Sequence, residues 1–163
     1  MLDLVDDRNV PVGVVRRGDC HGNPALQHRS VHVFVHNARG DFFLQKRSLA
    51  KRIQPGRWDT SVGGHVLAGQ TYEQAALEEL GQELGVRAID PARLRLSHDH
   101  VWSSPVETEH VRTFLLAYEG PFELLKVEID DGRFWSVDEM RSAAGTGLLT
   151  PNLELEMRNL RLL

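Results

Sequence analysis

Valines recur at every second position of His28–His36, at Val31, Val33 and Val35, a repeat that predicts a β-strand. Asn37-Ala-Arg-Gly40 has turn composition and leads into Asp41–Lys46, so a hairpin is expected there. Residues 9–16 are β-rich, Ser48–Gly56 reads as a basic loop, and Trp58–Val66 as a short strand and turn. The repeat then lengthens: Leu77, Leu80 and Leu84 form a helical stripe. Thr71 with Gln74 makes a capping box at its start, and Gly85 stands where a helix stops. Strands are expected near Leu94–Val101, Val111–Tyr118 and Arg133–Ser136, with a short helix after Val137. Thr150-Pro151 opens a last helix, Thr as cap and Pro at the first helical position, with Leu153, Met157 and Leu160 inward. Strands and helices thus alternate in a mixed α/β (α+β) arrangement.

The central helix carries chemistry as well as packing. It follows the glycine-rich turn around Gly63 and Gly64, and it holds Glu78, Glu79 and Glu83. Glu79 and Glu83 are four apart and share one helical face, where like charges repel unless a cation sits between them. Hard divalent ions such as Mg²⁺ favour carboxylate oxygens and keep positions open for phosphates. The plainer reading is a solvated acidic face above a leucine stripe.

The run from Gly64 to Val86 resembles the Nudix box, G-x5-E-x7-R-E-U-x-E-E-x-G-U with U a bulky aliphatic. Gly64, Glu79, Leu80, Glu83, Gly85 and Val86 match; Gln70, Glu78 and Gln82 depart, standing where the family has Glu, Arg and Glu. The resemblance implies the Nudix fold, a mixed sheet between helices. It also implies Mg²⁺ or Mn²⁺ on Glu79 and Glu83, and a small-molecule diphosphate substrate.

Over most of its length the chain is similar to one Nudix branch, type I isopentenyl-diphosphate isomerase and its hydrolase-like relatives. That likeness implies a second divalent site, for a transition metal, on His21, His28, His65, Glu107 and Glu109; a hydrogen-bonded polar cluster is the alternative. Imidazole with carboxylate suits such an ion better than calcium. It also matches diphosphate-binding cations to Arg17, Arg47 and Lys51, for which an exposed basic loop is the alternative. The isomerase's cysteine position is Gly63 here, its cation-stabilising tryptophan falls at Asn152, and it has no carboxylate at the position of Glu79. These contrasts favour a hydrolase of a nucleoside diphosphate-linked or related diphosphate, with Glu79, Glu83 and Glu109 as catalytic candidates. Gly63 and Gly64 would admit the substrate closely. An isoprenoid-diphosphate enzyme and a non-catalytic diphosphate-binding module are the alternatives. Trp58, Trp102 and Phe134 are the aromatic candidates for stacking on a base.

Composition narrows this further. The 163 residues suffice for one domain spanning 1–163 with its own core. A net charge of −4 with nothing resembling a basic nucleic-acid patch argues against nucleic acid, and no apolar run approaches the ~20 residues of a membrane span. The acidic N-terminus lacks a signal-peptide core, and Cys20 is the lone cysteine, so a reducing cytoplasm is expected.

Overall fold

A computed structural model describes residues 1–163. Its centre is strand β3 (His28–His36), whose alternation sends Val31, Val33 and Val35 to one side and Phe34 to the other. Numbering strands along the chain, β1 is Leu2–Val5, β2 Pro11–Val15, β4 Phe42–Arg47, β5 Trp58–Asp59 and β6 Val62–His65. They continue as β7 (Arg95–Ser103), β8 (Thr108–Ala117) and β9 (Ile129–Trp135). The expected hairpin is present, with Val35 opposite Phe43, although β3 and β4 stay paired for only two residues. Over the rest of its length β3 lies antiparallel to β6 and parallel to β8. The main sheet therefore runs β5-β4-β3-β8-β7, with β6 added to β3 and β9 to β4.

Helices cover both faces. Helix α2 (Tyr72–Leu84) buries Tyr72, Ala75, Ala76, Leu80 and Leu84 against the valine face of β3, while Leu77 is only partly buried. Its capping box closes as expected, and Gly85 ends it in the left-handed conformation at φ 66°. On the opposite face α3 (Val137–Ala143) and α4 (Pro151–Asn159) pack Met140, Leu153 and Met157 on Phe34, Leu44, Trp58 and Trp135. Thr150 caps α4 by accepting from the Leu153 N–H. No helix is long and apolar enough to cross a membrane.

Three elements depart from the pattern-based expectation. β1 pairs with β2, Leu2 opposite Val15, in a stretch that reads as an acidic terminus. A one-turn helix, α1 (Arg17–Cys20), follows β2 and buries Cys20. β9 starts at Ile129, four residues earlier than expected, because Asp130, Asp131 and Gly132 break its apolar alternation. Gly132 is needed there: a Cβ would lie 2.6 Å from the Phe43 ring. Trp58 stacks edge-on against Trp135, and Phe134 against Phe43, so both are packing residues.

Candidate functional site

β6 delivers Gly63, Gly64 and His65 beside the N-terminal half of β3 and then hands over to α2. That path lays Gly64 under Glu79, and a Cβ on Gly64 would lie 2.7 Å from Glu79 Cγ and closer still to its carboxyl group. The missing Cβ of Gly64 is thus filled by Glu79, and that of Gly63 borders His32 at 3.1 Å. Neither Glu79 nor Glu83 has a cationic partner. Glu83 accepts one hydrogen bond, 2.8 Å from Gln45 Nε2. Burial and then the neighbouring Glu79 charge push the Glu83 carboxyl up to about 7. Glu79 is raised too, by burial and by Glu78. Two half-buried acids that resist ionising together are what a divalent cation would relieve.

The three departures from the box are connected to one another. Gln70 Nε2 donates to Glu78 at 2.7 Å, and Gln82 Nε2 donates to its other oxygen at 2.9 Å. Gln70 also accepts from the Leu67 N–H at 3.0 Å, tying the turn to the helix. Where the family's Glu and Arg would place acceptor and donor, this chain places donor and acceptor. Gln70→Glu should lower stability above pH 5 by on the order of 0.5 kcal/mol, read as a lower unfolding midpoint, since it sets like charges together on an exposed surface. Adding Glu78→Arg should restore it; a midpoint unmoved in the single variant would mean that the pair contributes nothing.

A second constellation gathers where β3, β6 and β8 meet. The parallel register sets His28 opposite Glu109, and β6 brings His65 alongside. His28, His65, Glu107 and Glu109 offer ligand atoms within 4.8 Å of one another. His21 stands at the rim, its Nδ1 3.6 Å from Glu107, and is half exposed. His28 Nδ1 donates to the Leu26 carbonyl at 3.2 Å, so in the neutral imidazole Nε2 carries the lone pair; burial opposes a proton there, and Glu109 outweighs it and raises the His28 pKa. Nε2 of His28 and of His65 each lie 3.4 Å from Glu109 Oε1, yet neither has a hydrogen bond, nor does the buried Glu107 Oε2. Three orphaned polar atoms around one point fit an ion in that place. Burial opposes ionisation of Glu109, but His28, His65 and Ser30 override it and hold the carboxyl at about 2. Burial pushes His65 down to about 4, the neutral form a metal ligand requires.

Of the expected phosphate contacts, Arg17 lines a cleft of about 180 Å³ with His65, Gln70, Glu78, Glu79 and Gln82. Lys51 pairs with Glu128, and burial followed by Arg47 lowers its pKa. Arg47 is engaged elsewhere: it donates to the Ile53 carbonyl at 2.9 Å and lies 3.4 Å from Asp59, bracing the 48–57 loop.

Sequence reading missed Gln45, which steers Glu83, and a separate histidine cluster on Glu156. Signals for the latter existed. His98 and His100 sit two apart in a strand, and Glu156 falls in the inward stripe of Leu153, Met157 and Leu160.

The NUDIX domain family model matches residues 26–153. An uncharacterized Nudix hydrolase of Streptomyces coelicolor is 39% identical over 89 residues, 55% of this chain; the chain spans only 49% of that relative's length. An isopentenyl-diphosphate Delta-isomerase of Klebsiella pneumoniae is 28% identical over 161 residues, 96% of this chain and 88% of that one. A solved structure from Deinococcus radiodurans is similar at TM-score 0.75 and 28% identity, covering 96% of each chain.

Proposed function

The chain belongs to the Nudix family, and on that premise we propose that it is a divalent-metal-dependent hydrolase of a nucleoside diphosphate-linked or related diphosphate. The observation that supports this most is the half-buried Glu79/Glu83 pair, Glu79 in the wall of the cleft, with no protein cation paired to either carboxylate. When bound, Mg²⁺ or Mn²⁺ supplies charge neutralisation and lowers the pKa of a water. Glu79 and Glu83 would hold the ion, with Glu83 fixed by the hydrogen bond it accepts from Gln45. Arg17, in the cleft wall, would meet phosphate oxygens, and Lys51 would do so on exchanging Glu128 for phosphate; Arg47 acts through the loop it braces. Water adds to one phosphorus, the bridging P–O bond breaks with its electrons on the departing phosphate, and Glu79 takes the water's proton. Glu109 would serve with His28, His65 and Glu107 in holding a transition metal.

A phosphate-release screen tests this with Mg²⁺ and Mn²⁺ and a panel of nucleotide and isoprenoid diphosphates. Release from at least one of them is expected. Binding without release across the panel would replace the hydrolase by a binding module, the outcome that Gln70, Glu78 and Gln82 would favour. The four-ligand His/Glu group supports a second reading, an isoprenoid-diphosphate enzyme. Gly63 weighs against it, since no thiol stands there to move a proton. Deuterium entering isopentenyl diphosphate from solvent would reinstate it.

A further inference from the structure

A row of polar side chains crosses the α4 face of the sheet. His32 on β3 lies opposite Thr113 on β8, and Thr113 lies opposite His98 on β7. His100, two residues on, projects to the same side of β7. Into this row α4 lowers Glu156, which has no accessible surface. A carboxylate in the apolar stripe of a helix is costly unless it is matched. Glu156 is matched closely: His32 Nδ1 lies 2.7 Å and Thr113 Oγ1 2.6 Å from Oε1, and His98 Nε2 lies 2.7 Å from Oε2.

These three donors already satisfy the carboxylate, so the fourth group is the informative one. His100 makes no hydrogen bond at all. Its Nε2 stops 3.9 Å from Glu156 Oε1, and its Nδ1 is buried without a partner. A mostly buried imidazole whose Nδ1 is enclosed without a partner, and whose Nε2 makes no hydrogen bond, points to a further partner, water or ion. His32, His100 and Glu156 each offer a ligand atom, and these atoms lie within 4.8 Å of one another. Ligands ~2.1 Å from a common tetrahedral ion stand ~3.4 Å apart, so the widest pair must close by up to ~1.4 Å, shared between two side chains. Two imidazoles and one carboxylate suit Zn²⁺ or a similar transition ion, whereas Mg²⁺ prefers all-oxygen surroundings. His98 and Thr113 already hold the carboxylate from behind, as outer-shell partners do. β7 is the sheet's edge strand, and His98 and His100 retain 20% and 13% side-chain exposure, leaving a way in for the ion.

We propose that His32, His100 and Glu156 form a transition-metal site, of the Zn²⁺ class, that fastens α4 to the edge of the sheet. It shares no residue with the His28/His65 group and lies about four residues, ~13 Å, along β3 from it. It does not depend on the hydrolase reading.

The test uses the full chain carrying His65→Asn and Glu107→Gln, which disable the other histidine group, in excess Mg²⁺ to fill the carboxylate helix. Co²⁺ should give the intense visible band of a low-coordinate, imidazole-bound ion. His100→Leu, which removes no hydrogen bond, should abolish that band, and Zn²⁺ should raise Tm in the background but not in this variant. His32→Asn is read in parallel and should behave alike, covering the case in which one variant misfolds. Absence of the band from the background, or its survival in either folded variant, overturns the site.

Discussion

Glu83→Gln is expected to cut turnover by roughly 10²–10³-fold while leaving the fold intact, the size of loss typical when a charge-stabilising group is removed from an active site. The same variant should change the pH dependence of stability, which separates a metal-holding role from a structural one. In the metal-free protein the Glu83 carboxyl is pushed up to about 7 by burial and by Glu79. The folded state therefore binds a proton that the unfolded chain, with an ordinary glutamate pKa near 4.3, has already released. Stability from this group is fully present below ~4.3 and is lost as pH rises through about 7. Glu79, raised as well, adds to the same slope. The loss is on the order of 2 kcal/mol once partial exposure is allowed for. Metal-free wild type should thus melt lower at pH 8 than at pH 5, and Glu83→Gln should flatten much of that decline. Mg²⁺ should oppose it in wild type alone, contributing about 2.7 kcal/mol at 100-fold excess over Kd. Wild-type turnover in the variant, or a metal-free Tm that does not fall between pH 5 and 8, would remove Glu83 from the mechanism.

What the chain discloses on its own tracks the range of the interactions involved. The His28–His36 strand and the α2 caps depend on residues a few positions apart, and the structure has them at the expected places. The Glu79/Glu83 pair is similarly local, since i,i+4 spacing alone puts both on one face. The His28–Glu109 neighbourhood is different. It arises from the parallel register of β3 and β8, strands about 80 residues apart, and no local pattern encodes a register. Only likeness to a known family pointed there. The Glu156 cluster shows the opposite failure: its residues obey strand and helix periods, but with no family pattern to gather them they read as separate polar residues. The box departures were legible only as missing charges. Their mutual hydrogen bonds needed side-chain positions, because Gln70 and Glu78 are eight residues apart and face each other across the turn into α2.

Gly64→Ala should lower kcat by about 100-fold, the cost expected when a catalytic group is displaced by ~1 Å, with Tm changed little. Gly64 lies in β6 with an ordinary strand backbone, so alanine imposes no conformational strain. The new methyl would instead occupy the space of the Glu79 side chain, with Cγ only 2.7 Å away. Glu79 is flexible at that end and can swing toward the cleft, which relieves the clash cheaply. The swing separates it from Glu83, and the two carboxylates can no longer share a cation. Removing the Glu79 charge from beside Glu83 should also bring the Glu83 pKa down, so the stability decline between pH 5 and 8 should shrink. Loss of activity with retained Tm and weakened Mg²⁺ stabilisation is the signature of this mechanism. A large drop in Tm would show the glycine to be structural, and full activity would show that Glu79 need not sit where it does.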